Sequence, residues 1–227
     1  MHPLDNLVWN ALDGYQREHA IGSDLARRFD PAISVFAGVP DAAGPEHWSA
    51  LADVLAGTAA IVTRVGLELP PDWTVDVDMP GIQMVAAAES GAAYVDAVEL
   101  SASDGPEALD LATRTEPGPF SLRTPELGTY VGVRRQGKLV AMAGERMRAE
   151  GFTEISAVCT DPAYRGHGLA GALVRHMVDQ IQARGDVALL HVVASNAPAI
   201  RVYERLGFTV RARPDFKLIR ATPSTKE

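Results

Sequence analysis

The segment Arg165-Gly166-His167-Gly168-Leu169-Ala170, at the head of a long amphipathic stretch, constrains this chain more than any other feature. Leu169, Leu173, Met177 and Ile181 recur every four residues and Val174 and Val178 widen the stripe, while Arg175, Asp179 and Gln182 fall off it. That is the period of a helix with one buried face. Arg184-Gly185 supplies the stop, because glycine takes the left-handed conformation past a helix end at least cost. Residues 153–160, just before the glycines, have the pattern of a strand. Two glycines within three residues let the backbone approach a ligand closely, and the first-turn N–H groups of a helix have no internal partners. With the helix dipole they make an anion site suited to a pyrophosphate.

Three nucleotide-type readings compete for the segment. An ATP-binding P-loop fails, because no Gly-Lys-Ser/Thr follows. Gly166, Gly168 and Gly171 do satisfy G-x-G-x-x-G, but a dinucleotide fold needs the glycines directly after the strand and an acidic residue ending the next one. Here Asp161-Pro162-Ala163-Tyr164-Arg165 intervenes, and the next strand ends in Ala194-Ser195-Asn196.

The third reading rests on a resemblance. Arg165-x-x-Gly168-x-Ala170 matches the Q/R-x-x-G-x-G/A signature of the GNAT acetyltransferases, and the flanks match too. Before it stands Val158-Cys159-Thr160-Asp161-Pro162; after it come Asn196-x-x-Ala199-x-x-x-Tyr203 and Leu206-Gly207-Phe208. The likeness covers roughly residues 92–213. It implies the GNAT acyl-CoA N-acyltransferase fold, an α/β arrangement with a mixed, partly parallel twisted sheet flanked by helices, and acetyl-CoA as co-substrate. It also implies that Val158 and Thr160, with Cys159 between them, pair through their backbone with the pantetheine arm. Amides from Arg165, Gly166, His167, Gly168, Leu169, Ala170 and Gly171 would wrap the pyrophosphate. Elementary chemistry makes the same allocation, since an extended chain end offers alternating N–H and C=O groups and a glycine loop offers donors to phosphate. The competing reading is a plain strand-to-helix turn with a surface arginine.

Asn196 and Tyr203 are seven residues apart (203 − 196), about two helical turns, and so share a face. Asn196 suits an N-cap, with Pro198 tolerated in the first turn, and equally suits a cofactor contact. By the family likeness Tyr203 points its hydroxyl at the cofactor sulfur, where a phenol of ordinary pKa near ~10 can act as general acid; otherwise it is a core tyrosine beside Leu206. Transfer to an amine also calls for a base. Glu154 lies eleven residues before Arg165 (165 − 154), the offset at which the histone-acetylating branch of the family places its glutamate. On a regular strand its side chain shares a face with Ser156 and Val158; the alternative is an exposed glutamate at the start of a strand. Glu145 and Glu99 are the reserve candidates. A covalent role for the lone Cys159 finds no histidine or acid at a recognisable distance, and His167, His176 and His191 show no metal spacing, so no metal is expected.

The expected organisation is an N-terminal α/β domain over residues 1–91, a GNAT domain over 92–220 and a frayed tail over 221–227. The first part pairs helical patterns at 4–19 and 46–55 with strands at 59–65 and 83–88, broken at Pro40, Pro70-Pro71 and Pro80-Gly81. It has no arginine-glycine loop and is expected to be a degenerate GNAT-like half that shapes the acceptor pocket. Strands are expected at 94–100, 130–134, 138–147, 188–193 and 208–213, and helices from Glu107 and over 197–206. The acceptor is expected near Glu116-Pro-Gly-Pro-Phe120, between the two parts.

Composition narrows the function further. A formal net charge of −8 argues against a nucleic-acid binder. No apolar run reaches the ~18 residues of a membrane span. The single cysteine excludes an intramolecular disulfide framework and fits a cytoplasmic setting. The expected activity is direct acetyl transfer from acetyl-CoA to an amine of a small molecule, peptide or protein, with a homodimer left open. The rival readings are a catalytically silent acetyl-CoA-binding sensor or scaffold, and an enzyme that uses a longer acyl-CoA.

Overall fold

The computed structural model describes residues 2–87 and 96–222. The first stretch holds α1 (Leu7–Asp13), three short strands β1 (Ala20–Gly22), β2 (Arg27–Phe29) and β3 (Ala37–Gly38), then α2 (Pro45–Leu55), β4 (Ala60–Arg64) and the long β5 (Trp73–Ala86). The second holds β6 (Val98–Glu99), α3 (Gly105–Thr115), β7 (Tyr130–Arg135), β8 (Lys138–Ala149), β9 (Phe152–Thr160), α4 (Leu169–Ala183), β10 (Val187–Val193), α5 (Ala197–Arg205), β11 (Phe208–Ala212) and β12 (Asp215–Ala221). β1, β2 and β3 form a small sheet; the other strands join one mixed sheet in the order β4-β12-β5-β10-β9-β8-β7-β6, with β11 beside β5. β9 and β10 are its parallel pair.

Local chemistry explains the elements that carry the site. β7 and β8 meet across Gln136 and Gly137, both at positive φ (52° and 79°), the backbone of a two-residue hairpin turn that follows strand twist. α4 buries Leu173, Val174, Met177, Val178 and Ile181 against Val131, Val140, Ile155 and Leu190. At roughly 1.5–3 kcal/mol for each fully buried apolar side chain, these five contribute on the order of 10 kcal/mol of transfer free energy. That anchors the helix along its length, so its N-terminus is left to meet a ligand.

Some expectations shift. The helical pattern over 4–19 is realised as a seven-residue α1 flanked by 3-10 turns. Pro80-Gly81 does not end a strand: β5 runs through it and changes partners there, pairing with β12 up to Pro80 and with β10 and β11 beyond. Gly81 permits this, because a Cβ there would sit 2.4 Å from Cε2 of Phe216. Residues 215–221, for which no strand was expected and whose last residue was assigned to the tail, form β12 between β4 and β5. The expected boundary at 91–92 and residues 223–227 of the tail lie outside the described residues, as do Tyr94 and Val95 of the strand expected at 94–100. The N-terminal part does not stand apart, for both edges of β5 are occupied by strands from the C-terminal part.

Candidate active site

The parallel register of β9 and β10 ends at the pair Ile155 and Leu190, and the two strands diverge beyond it. β10 turns its end towards β5, where Val193 faces Gly81. β9 keeps β8 on one edge, with Cys159 opposite Met142 and Thr160 opposite Ala141. Between Ser156, which faces Gly144, and Cys159, two residues oppose the single Ala143, so β9 bulges at Ala157 and Val158. Ala157 sits at φ 53°, a conformation that costs a non-glycine residue about 1 kcal/mol. The bulge reverses the alternation: Ile155 and Val158 both pack in the cluster under α4, while Ala157 and Cys159 pack with α3. Glu154 and Val158 therefore do not share a face, as a regular strand would require. From residue 156 on, the edge of β9 that faced β10 has no strand partner among the described residues.

A cavity of about 1240 Å³ opens along that edge, larger than the pockets of drug-sized ligands and roomy enough for a long cofactor with a second substrate. One end is the glycine segment. Gly166 and Gly168 stand at φ 82° and 73°, and Gly168 is the N-cap of α4, with no side chain to occupy the helix end. Arg165, Gly166, Gly168, Leu169, Ala170 and Gly171 line the cavity. His167 does not: its Nδ1 turns back to the carbonyls of Tyr164 and Arg165. Arg165, Arg175 and Arg205 stand at this end; Arg165 Nε donates to the Thr160 carbonyl at 3.3 Å, and its charge also acts on Asp161. Thr160 lines the cavity with Oγ1 buried and unpartnered. Open strand edge, left-handed glycines, cations and an orphaned hydroxyl fit a pantetheine arm followed by a pyrophosphate.

Asn196 lines the cavity and also caps α5, accepting a hydrogen bond from the Ala199 N–H at 3.2 Å. Tyr203, one face of α5 further on, lies in the wall and packs on Phe208 with ring centroids 6.0 Å apart. Burial pushes its phenol up to about 12, so it stays protonated at neutral pH. Cys159 lines the cavity as a buried thiol whose pKa is raised, chiefly by burial, which keeps it neutral and unreactive.

Glu154 is the main correction. It is 0% exposed, does not line the cavity, and is gripped by Arg146, whose Nε and Nη2 donate to its two oxygens at 3.0 and 2.5 Å. His191 Nδ1 lies 2.7 Å from Oε1. Burial alone would raise its pKa, but the Arg146 charge, His191 and these hydrogen bonds win and hold it at about 2. A carboxylate so weakly basic and so enclosed is a poor proton acceptor. It fixes Arg146 and His191, both of which do line the cavity. His191 Nε2 faces Gln83 Nε2 at 3.0 Å, while Gln83 Oε1 accepts from Arg211 and Nε2 donates to the Leu4 carbonyl. This pattern assigns the imidazole proton to Nδ1, towards Glu154. Among the reserve candidates, Glu145 pairs with Arg184 and Glu99 sits exposed on β6; neither lines the cavity.

The far end is walled by Phe36, Ile61, Met79 and Phe216, from the N-terminal part and β12. The loop from Glu116 to Pro119 borders the cavity as well, and Glu116 is the carboxylate among its lining residues. Sequence reasoning missed Arg146 and His191 as wall residues. The available signal was weak: Arg146 is one of three charged residues, with Glu145 and Arg148, that follow the apolar run 139–143 of β8. Among the described residues, no three His, Cys, Asp or Glu side chains group as a metal site, and no helix is long and apolar enough to cross a membrane.

Comparison with known proteins gives a consistent answer. The FR47-like protein family matches residues 130–216. A solved structure from Novosphingobium aromaticivorans, described as a GNAT-family acetyltransferase, is 42% identical, with a TM-score of 0.87 over 97% of this chain and 99% of that one. The [ribosomal protein bS18]-alanine N-acetyltransferase of Escherichia coli K12 is 34% identical over 115 residues, 48% of this chain and 77% of that protein. The N-alpha-acetyltransferase RimI of Mycobacterium tuberculosis is 40% identical over 82 residues, 35% of this chain and 51% of that protein.

Proposed function

The chain belongs to the GNAT N-acetyltransferases, and from that premise we propose that its cavity binds acetyl-CoA along β9 and the head of α4 and receives the acceptor amine between β9 and β10. The observation that carries the reading is the unpaired edge of β9 meeting the left-handed glycines within one cavity. Backbone groups of Val158 and Thr160 hold the pantetheine arm as an added strand. Amides of residues 166–171 and the Nη groups of Arg165, whose Nε is turned to the Thr160 carbonyl, hold the pyrophosphate, with Arg175 and Arg205 beside them for further phosphate charge. Cys159 contributes backbone only, and Asn196 fixes the start of α5.

Bound acetyl-CoA supplies a thioester whose acetyl group passes to the amine as the thiolate leaves. The N–H groups at the Val158 bulge face the carbonyl oxygen where negative charge develops. Tyr203 donates a hydrogen bond to the sulfur. From a phenol of about 12 to a thiol near ~8.5, full proton transfer would run uphill by roughly 3–4 units, about 5 kcal/mol, so the hydroxyl steadies the thiolate and the proton is finally taken from solvent. Glu154 acts as a positioning residue through Arg146 and His191. Glu116 draws the ammonium form of the acceptor into the cavity and receives its proton through water.

The N-terminal part walls the acceptor end, and the acceptor is a small molecule or peptide, in line with relatives named as a ribosomal protein alanine N-acetyltransferase and a mycothiol acetyltransferase. The lone cysteine accords with a cytoplasmic setting. CoA release from acetyl-CoA, followed by thiol titration across an amine panel, tests the reading: amine-dependent release is expected, and binding without release under any amine would leave only a cofactor-binding protein.

A further inference from the structure

Arg146 is held along one edge only. A guanidinium has five N–H donors fixed in a plane. Two go to Glu154, and the others have no partner among the described residues, although the group is 8% exposed and stands in the cavity wall. Its Cζ lies 4.8 Å from the Phe36 ring centroid, which fixes the plane. Donors so placed await an oxygen acceptor.

Charge decides which oxygen. Glu154 already neutralises Arg146, and Asp5 neutralises Arg211, which joins the same network through Gln83. His191 presents Nδ1–H to Glu154 and turns Nε2 to the Gln83 amide, so the charge count rests on the two arginines and their two carboxylates. The cluster sums to zero. A second carboxylate against Arg146 would be an uncompensated buried charge, which costs several kcal/mol, whereas a neutral carbonyl oxygen takes the spare N–H groups without that penalty.

Position and surroundings give the rest of the ligand. Phe36, Ile61, Met79 and Phe216 make the cavity apolar around the guanidinium. Glu154 precedes Val158 by four residues on β9 (158 − 154), but the bulge sets Ala157 and Val158 against one residue of β8, so the span is about three strand spacings and the guanidinium bound to Glu154 lies on the order of 10 Å from the Val158 backbone where the thioester is placed.

We propose that the acceptor is an elongated apolar primary amine bearing a neutral carbonyl oxygen roughly 10 Å from its nitrogen, and that Arg146 reads that oxygen. The proposal rests on the acetyl-transfer reading above. The test compares kcat/KM for CoA release by the wild-type protein with three amines of one length: 8-amino-octanamide, octylamine and 8-amino-octanoate. The amide is expected to exceed both others by ~10-fold or more, the effect of hydrogen bonds from a charged donor. Arg146→Lys keeps the charge but loses the planar fork, and should shrink the amide-to-octylamine ratio; being a ratio within one protein, it is unaffected by the fraction folded. Octylamine equal to the amide overturns the role of Arg146 while transfer stands. The octanoate as best substrate overturns the neutral-oxygen argument. Release with other amines but none of these three also overturns the inference, and release with no amine at all overturns both it and the transfer reading.

Discussion

Replacing Glu154 by glutamine separates a base from a pin. The carboxyl is fully buried and held at about 2 against an ordinary 4.5, a gap of about 2.5 units. At 1.36 kcal/mol for each unit, the folded state gains ~3 kcal/mol from the ionised form. That agrees with the ~3–5 kcal/mol lost when one partner of a buried ion pair is removed and the other is left charged. For a chain of 227 residues, where 1 kcal/mol moves Tm by roughly 2–4 °C, Glu154→Gln should lower Tm by ~6–12 °C near neutral pH. The sign in acid follows from the lowered folded pKa. The stabilisation is fully present above 4.5 and is lost as pH falls towards about 2, so the gap between wild type and variant should close across that window. Differential scanning calorimetry at pH 7 and pH 3 reads this out. An unchanged Tm with kcat down by ~100-fold or more would refute the reasoning and restore Glu154 as a free general base.

Other perturbations probe other parts of the site. Tyr203→Phe should lower kcat by ~10- to 100-fold, the value of a hydrogen bond to a developing charge, with acetyl-CoA affinity by calorimetric titration unchanged. Gly168→Val forces a β-branched residue to φ 73° at the head of α4, and should weaken acetyl-CoA binding by ~10-fold in the same titration. Gly81→Ala places a Cβ 2.4 Å from Phe216 and 2.8 Å from the Pro214 carbonyl; overpacking of ~1–3 kcal/mol should appear as a lower Tm.

The parts of this molecule that could be read from sequence are those written locally. The stripe from Leu169 to Ile181 names the buried face of α4 without reference to anything else, and Gly166 and Gly168 name the anion site because few other residues accept their backbone angles. Glu154 was found for its spacing, but its burial and pairing were not legible, because Arg146 and His191 come from neighbouring strands β8 and β10 and meet it only through strand register. The bulge that turns Val158 away from Glu154 hangs on Ala157, a residue type that ordinarily avoids positive φ and so gave no sign. The last strand was expected at 208–213, and β12 beyond it was overlooked; yet β12 supplies Phe216 to the acceptor wall. Phe36, Ile61 and Met79 are spread over more than forty positions (79 − 36 = 43); the large sheet joins Ile61 and Met79, and an isolated bridge sets Phe36 beside Ile61.

The central claim, that β9 and the glycine segment together hold acetyl-CoA, is met most directly by a crystal structure of the protein grown with acetyl-CoA. The pantetheine arm should lie along Val158 and Thr160 with the pyrophosphate on the amides of residues 166–171. A pyrophosphate bound elsewhere, with the edge of β9 unpaired at saturating ligand, would contradict it.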